Sequence, residues 1–220
     1  MKFIDLFAGI GGFRFALEGL GHTCVFSSEI DKHARLTYEA NFGEVPHGDI
    51  KKIDEKEIPP HDILCAGFPC QPFSISGKQK GFNDIRGKLF FEIIRVIDYH
   101  KPKIILLENV KNLINHRNGK TLSEIVGRLD KLGYDVNYDL LKSSDFGVPQ
   151  ARERVYFVCF RKGLKIKNFK FPEKKDIKIY LKDIIDFNEN SDELLIKRKD
   201  ISINKEEVSY EKRPIKICTI

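Results

Sequence analysis

The sequence predicts an α/β fold in which a mostly parallel, twisted sheet carries helices on both faces. Short apolar runs alternate along the chain with stretches whose apolar residues recur at helical spacing, a pattern typical of parallel strands joined by crossover helices. Residues 104–107 are apolar without alternation, as expected for a central strand that is covered on both sides. With 220 residues and 41% hydrophobic content, the chain is long enough to form one large domain.

The first part of the chain supplies the first four predicted strands and two helices. The first helix has Phe13, Ala16, Leu17 and Leu20 on one face, at spacings of three, four and seven residues. We expect Gly21 to end it. The strands are predicted over residues 3–7, 24–28, 48–50 (the end of a short third strand) and 62–66, and the helices over 13–20 and 32–41.

A long polar loop, residues 67–87, follows the fourth strand, and loops of this length inside a compact domain are usually functional. Beyond it we predict a helix over 89–99, the central strand, and a helix opened by a capping box from Thr121 to Glu124 and ended by Gly133. Two last strands are predicted over residues 137–142 and 154–160.

Charge and cysteine content exclude several classes of protein. Residues 1–160 hold 22 basic and 21 acidic residues, whereas 161–220 hold 16 and 11, so the basic excess lies in the tail. The five cysteines are odd in number and show no Cys-x-x-Cys spacing, which disfavours a disulfide framework and a zinc ribbon. We see no export signal and no membrane-spanning run, and therefore expect a cytoplasmic protein without a metal.

A glycine-rich turn after the first predicted strand indicates a nucleoside site. Gly9 to Gly12 lie between a strand and a helix, but Arg14 occupies the third glycine position of a dinucleotide-binding turn, which disfavours hydride-transfer cofactors. Glu29 and Asp49 end the next two predicted strands, where they are suited to ribose hydroxyls and an adenine amine. These features favour S-adenosylmethionine, although each carboxylate taken singly is also explained as a solvated surface group.

Cys70 lies on the polar loop, just beyond the carboxyl end of a predicted strand, where a thiol is placed for nucleophilic chemistry. A free cysteine is more often a small buried packing residue. Cys24, Cys65 and Cys159 fit that alternative because they lie within apolar strands.

Glu108 ends the central strand, and a carboxyl group in such a place is suited to acid catalysis. Arg152 and Arg154 begin the last predicted strand two positions apart. Side chains at that spacing point to the same face, so the pair is suited to bracket a base carbonyl or a phosphate. The alternative is a solvated strand face.

Taken together, the motifs resemble those of the DNA (cytosine-5)-methyltransferases, most closely the HhaI-type enzymes of bacterial restriction-modification. The matching stretches cover about residues 1–165 and run in the family's order: 5–12, Glu29, 48–50, 67–71, 108–110 and 150–154. Residues 77–82 and 86–87 also resemble the family's catalytic loop. The fold that this resemblance implies is the Rossmann-like fold of S-adenosylmethionine-dependent methyltransferases.

The resemblance implies a mechanism. A cytosine flipped out of duplex DNA is attacked at carbon 6 by Cys70, while Glu108 engages the ring and Arg152 and Arg154 hold the base. The residues implied to bind the cofactor are Phe7, Ala8, Gly9, Ile10, Gly11, Gly12, Glu29, Ile30, Asp49, Ile50, Pro69 and Leu89. On the catalytic loop, Gln71, Ser74 and Arg86 are implied to contact DNA.

Two departures from the family pattern leave alternatives open. Ile30 stands where the family often has tryptophan, so adenine packing is expected to be aliphatic.

The family also continues into a target-recognition domain and further motifs, which leads us to expect a catalytic domain over 1–182 and, over 183–220, a hinge and the start of an incomplete recognition domain. The chain is then expected to need a C-terminal half. The alternatives are a non-catalytic or split-enzyme component and a transfer RNA cytosine-5 methyltransferase. For the DNA enzyme we expect association with the nucleoid.

Overall fold

The computed structural model describes residues 1–68, 89–166, 168–175, 179–180 and 183–184. Two compact units can be separated within it. The first comprises residues 1–141 and 154–171, and the second comprises 142–153 and 172–220.

The first unit is built around a six-stranded sheet with the order β2-β1-β3-β4-β6-β5, of which only the last residue of β5 and the first of β6 fall in the second unit. β1 pairs in parallel with β2 and β3, and β3 pairs in parallel with β4, whereas β6 is antiparallel to β4. The predicted mostly parallel α/β fold is therefore confirmed. The strands are β1 (Lys2–Leu6), β2 (Thr23–Ser28), β3 (Ile63–Gly67), β4 (Ile104–Val110), β5 (Tyr134–Lys142) and β6 (Glu153–Arg161).

The helices cover the two faces of this sheet. On one face, Leu17 and Phe13 of the first helix pack with Phe3 and Cys65. On the other, a larger cluster joins the apolar faces of the third and fifth helices to Ile4, Leu64 and Ile105. The helices are α1 (Gly12–Glu18), α2 (Lys32–Phe42), α3 (Leu89–His100), α4 (Asn112–Asn115) and α5 (Lys120–Lys131).

The short third strand predicted to end at 48–50 is absent from the described structure. A single parallel bridge joins Ser28 to His47, and the chain then enters a 3-10 turn, Ile50–Lys52. The side chain of Asp49 accepts a hydrogen bond from the Lys51 N–H at 3.1 Å. This local bond favours a turn over continued strand pairing.

Two predicted helix boundaries differ from those observed. α1 ends at Glu18 rather than at Gly21, and its capping residue is Gly19. α5 begins without the predicted capping box, because Gly119 is its N-cap and no side chain caps it. The hydroxyl of Thr121 is instead buried in a 2.6 Å hydrogen bond with Nδ1 of His116.

The second unit is described mainly over residues 142–153. A 3-10 turn, Ser143–Phe146, opens it. Both the main-chain N–H and the hydroxyl of Ser143 donate to the Arg152 carbonyl, at 2.9 and 3.0 Å. Lys174 forms an ion pair with Asp145 at 3.0 Å, which ties the two parts of this unit together.

Candidate active site

The glycine-rich turn is a sequence of left-handed backbone conformations. Phe7, Gly9 and Gly11 have φ angles of 56°, 56° and 93°. A Cβ atom on Gly11 would lie 2.1 Å from the ring of Phe42, whereas one on Gly9 would meet no atom of the described residues within 4 Å. Glycine at position 11 is thus required by packing and by conformation, and the space above Gly9 is open.

Glu29 joins this turn to the end of β2. Its Oε2 accepts a hydrogen bond from the Gly9 N–H at 2.8 Å, and its Oε1 accepts one from the Asp31 N–H, also at 2.8 Å. The Ala8 N–H donates to the Ser28 carbonyl at 3.0 Å. Charge-assisted bonds of this kind are among the stronger ones in proteins, so the carboxylate fixes the shape of the turn.

The sheet places other predicted cofactor residues at the same edge. Ile10 and Ile30 are strongly exposed for aliphatic side chains, at 56% and 67%. By contrast, the side chain of Ile50 is buried in the main core. Asp49 forms an ion pair with Lys51 at 3.3 Å. Leu89 is the first residue of α3.

Glu108 lies near the carboxyl end of β4, directly opposite Gly67 of β3 in the ladder. Its Oε1 is 2.9 Å from Nε of Arg154, and both side chains are about one-fifth exposed. The ion pair is thus only partly buried, at the carboxyl end of β4.

The two arginines predicted to share a strand face are placed differently. Arg154 is the second residue of β6, which begins at Glu153. Arg152 precedes the strand and is exposed; it belongs to the second unit, where its carbonyl accepts the two hydrogen bonds from Ser143.

Five predicted site residues lie outside the described part of the chain: Pro69, Cys70, Gln71, Ser74 and Arg86. The three cysteines predicted to be packing residues are described. Burial raises the pKa of the Cys24 and Cys65 thiols and raises that of Cys159 to about 12. Thiols in that state are poor nucleophiles at neutral pH.

Asp5 is a feature that the sequence analysis did not single out. It is fully buried beside Cys65 in the β1–β3 ladder, and neither of its carboxylate oxygens has a hydrogen-bond partner among the described residues. Burial, with the negative charge of Glu29 adding to it, raises the pKa of Asp5 to about 8 against the opposing influence of Arg14. A polar residue inside an apolar strand is the sequence signal for such a group.

Asn109 was also missed as a positioning residue. Its buried side-chain amide donates to the Phe68 carbonyl at 3.2 Å, and its Oδ1 accepts from the Val110 N–H at 2.9 Å. Phe68 is the last described residue before residues 69–88, which lie outside the described ranges. The end of β4 therefore holds Phe68, two residues before Cys70 in the sequence.

The described ranges contain no helix long and apolar enough to cross a membrane. Within these same ranges, no group of three or more histidine, cysteine or acidic residues is arranged to hold a metal ion.

Comparisons with known proteins identify the family of this chain. The family model described as "C-5 cytosine-specific DNA methylase" matches residues 1–216. The Type II methyltransferase M.HhaI of Haemophilus parahaemolyticus is 51% identical over 208 residues, which cover 94% of this chain and 64% of M.HhaI. M.HaeII of Haemophilus aegyptius is 50% identical over 216 residues, covering 95% of this chain and 66% of the relative. The chain thus spans about two thirds of the length of these relatives.

Solved structures show the same fold. The methyltransferase EhMeth of Entamoeba histolytica superimposes with a TM-score of 0.74 at 26% identity, over 86% of this chain and 61% of EhMeth. A DNMT2 mutant of Spodoptera frugiperda gives a TM-score of 0.70 at 28% identity, over 87% of this chain and 61% of that protein. The family match spans nearly the whole chain and both relatives are methyltransferases by name, so the chain belongs to the C-5 cytosine-specific DNA methylase family of enzymes.

Proposed function

We propose that this chain is the catalytic part of a DNA methyltransferase that transfers a methyl group from S-adenosylmethionine to carbon 5 of a cytosine flipped out of duplex DNA. The observation that carries the proposal is the position of Glu108. It pairs across the ladder with Gly67, the last residue of β3, and Cys70 follows three residues later in the sequence. The segment that contains Cys70 therefore begins beside Glu108, which supports the proposal that these two residues act in one site.

The residues present suit S-adenosylmethionine. The space above Gly9 is open, and the Glu29 carboxylate already accepts one hydrogen bond on each oxygen yet retains lone pairs for ribose hydroxyls. The exposed aliphatic side chains of Ile10 and Ile30 suit the faces of an adenine ring. When bound, the cofactor supplies an electrophilic methyl group on a positively charged sulfur.

The proposed chemistry uses three groups of this chain. The Cys70 thiolate forms a bond to carbon 6 of the cytosine, which makes carbon 5 nucleophilic. Glu108 hydrogen-bonds to ring nitrogen 3 and the exocyclic amine, and Arg154 orients Glu108 and the base. After carbon 5 is methylated, it loses its proton to a base, and the electrons of that bond restore the ring double bond and expel the Cys70 thiolate. Stabilising charge as it develops is the main catalytic contribution expected of Glu108.

The direct test measures transfer of labelled methyl groups to duplex DNA and to transfer RNA in parallel, with the modified base identified by mass spectrometry. The chain is assayed alone and together with a C-terminal segment carrying a recognition domain. We expect 5-methylcytosine in DNA. Methylation of transfer RNA but not of DNA would show that RNA is the substrate. The absence of 5-methylcytosine from both nucleic acids under all conditions would overturn the proposed activity.

A further inference from the structure

The segment that follows the Glu108 strand has an unusual charge content. Residues 111–120 contain three basic residues, Lys111, Arg117 and Lys120, and no acidic residue. This contrasts with residues 1–160 as a whole, in which 22 basic and 21 acidic residues nearly cancel. A concentration of positive charge within an otherwise nearly neutral stretch of sequence indicates an anionic partner.

This segment lies at the same edge of the sheet as Glu108. β4 ends at Val110, and α4 begins two residues later at Asn112. α5 then runs back across the sheet, and the hydroxyl of Tyr134, just beyond its end, donates to the Pro102 carbonyl ahead of β4. The turn between α4 and α5 is therefore held at the carboxyl edge, whereas the far end of α5 lies at the opposite edge.

The turn is held in an unfavourable backbone conformation. Arg117, Asn118 and Gly119 have consecutive φ angles of 53°, 57° and 79°, and the left-handed conformation is unfavourable for a residue such as arginine. The buried hydrogen bond between His116 and Thr121, at 2.6 Å, closes the turn from both sides. Strain that the surrounding structure maintains in this way is characteristic of functional positions.

The turn presents its cations to solvent. Arg117 and Lys120 are exposed, and neither forms an ion pair within the described ranges. Some other basic side chains of this unit form local ion pairs, such as Arg128 with Glu124 at 2.9 Å and Lys162 with Asp130 at 2.8 Å. The charges of Arg117 and Lys120 are thus available to a ligand.

From these observations we propose that the turn formed by Arg117 to Lys120 binds the phosphodiester backbone of duplex DNA beside the target cytosine. The proposal rests on the proposed function, since it assigns a contact to the same DNA substrate. Its physical basis is the release of counterions when lysine and arginine neutralise phosphates, which gives affinity without sequence preference.

The test compares the binding of non-specific duplex DNA at several salt concentrations by the 220-residue chain and by an R117N/K120Q variant. Asparagine tolerates the left-handed conformation at position 117, so the variant removes charge and keeps the turn. Loss of two phosphate contacts should lower affinity roughly tenfold or more at about 0.1 M salt and flatten the slope of log K against log salt by about 2.

The matched control is K2Q/K131Q, which removes two exposed lysines from the opposite edge of the sheet. We expect it to bind DNA like the wild type. Equal affinity for duplex DNA and equal salt slope for wild type and R117N/K120Q would overturn the inference. The same measurement with single-stranded RNA would also overturn it if the variant lost affinity for that RNA alone. Binding of S-adenosylmethionine, measured by calorimetry, should be the same in all three proteins. If the wild type binds no DNA even when the recognition segment is supplied, the result contradicts the proposed DNA substrate rather than the role of this turn.

Discussion

Arg154 Nε lies 2.9 Å from Glu108 Oε1 because of the register between two antiparallel strands. In the β4–β6 ladder, Glu108 is opposite Tyr156 and Val110 is opposite Arg154. Arg154 is therefore the diagonal neighbour of Glu108 on the same face, a separation of roughly 7–8 Å that a long side chain spans. The carboxylate proposed to engage the base is held in place by a charge from the next strand.

We first predict that Arg154→Lys lowers the single-turnover rate of DNA methylation at least tenfold, because lysine cannot reproduce the planar, directional contact of a guanidinium group. Arg161→Lys provides the control, as Arg161 ends the same strand and donates to the Lys101 carbonyl.

Glu108→Gln should slow methyl transfer more than it weakens DNA binding, since its contact strengthens in the transition state. A variant at either position with the wild-type rate would remove that residue from the mechanism.

The second prediction concerns the cofactor. Asp49→Ala should weaken binding of S-adenosylmethionine by about 1.5–3 kcal/mol, the value of a charge-assisted hydrogen bond, as measured by calorimetry. Asp54→Ala is the matched control, because Asp54 caps a neighbouring 3-10 turn through the Lys56 N–H at 2.9 Å, much as Asp49 caps its own through Lys51. Equal losses in the two variants would assign Asp49 a structural role only.

The third prediction separates the cysteines. Cys70→Ser should abolish the covalent adduct with duplex DNA that contains 5-fluorocytosine, as detected by denaturing electrophoresis. Cys24→Ser, Cys65→Ser and Cys159→Ser should retain the adduct and at most lose stability, because these thiols stay protonated at neutral pH. Mapping the adduct to any of these three would refute the assignment of Cys70.

The fourth prediction is a pH dependence of stability due to Asp5. The pKa of its carboxyl is about 8 in the folded protein, against an ordinary value of 3.8. Between these values the unfolded chain releases the proton and the folded chain keeps it, so Asp5 lowers the free energy of unfolding as pH rises from about 4 to about 8. The contribution changes by up to about 1.4 kcal/mol for each pH unit in that window.

Urea unfolding of wild type and Asp5→Asn at pH 5, 6, 7 and 8 measures this effect. The variant should gain stability relative to wild type as pH rises. The comparison cancels the contribution of His61, whose pKa burial lowers to about 4 and which acts in the opposite direction. A difference between the two proteins that is constant with pH would show that Asp5 does not hold a proton in the folded state.

The fifth prediction concerns the activity of these 220 residues by themselves. Residues 1–160 have a net charge of +1, from 22 basic and 21 acidic residues, so we expect weak DNA binding without sequence preference and slow methylation. Supplying a segment with a recognition domain, fused or as a second polypeptide, should restore the rate. Efficient, sequence-specific methylation without any such segment would contradict this expectation.

Local patterns in the sequence were sufficient for the six strands of the sheet, for α1, α2, α3 and α5, and for the edge at which the polar residues gather. They also predicted a strand ending at 48–50 that the described structure lacks, and they did not indicate the short helix α4. Apolar runs specify strands because they bury both faces of a central sheet, and the carboxyl ends of parallel strands share one edge by geometry. For the same reasons the sequence predicts Glu29 and Glu108 at one edge of the sheet, and predicts Cys65 and Cys159 as packing residues.

Tertiary structure alone decided the contacts between residues distant in the sequence. The pairing of Glu108 with Arg154 depends on the register of β4 and β6, and the state of Asp5 depends on what surrounds it in the folded sheet. Thr121 forms a buried bond with His116 rather than a helix cap, because a side chain's partner is selected by the folded environment and not by the local motif. Sequence by itself determined which groups this protein brings to its site, and the packed sheet determined what each of them touches.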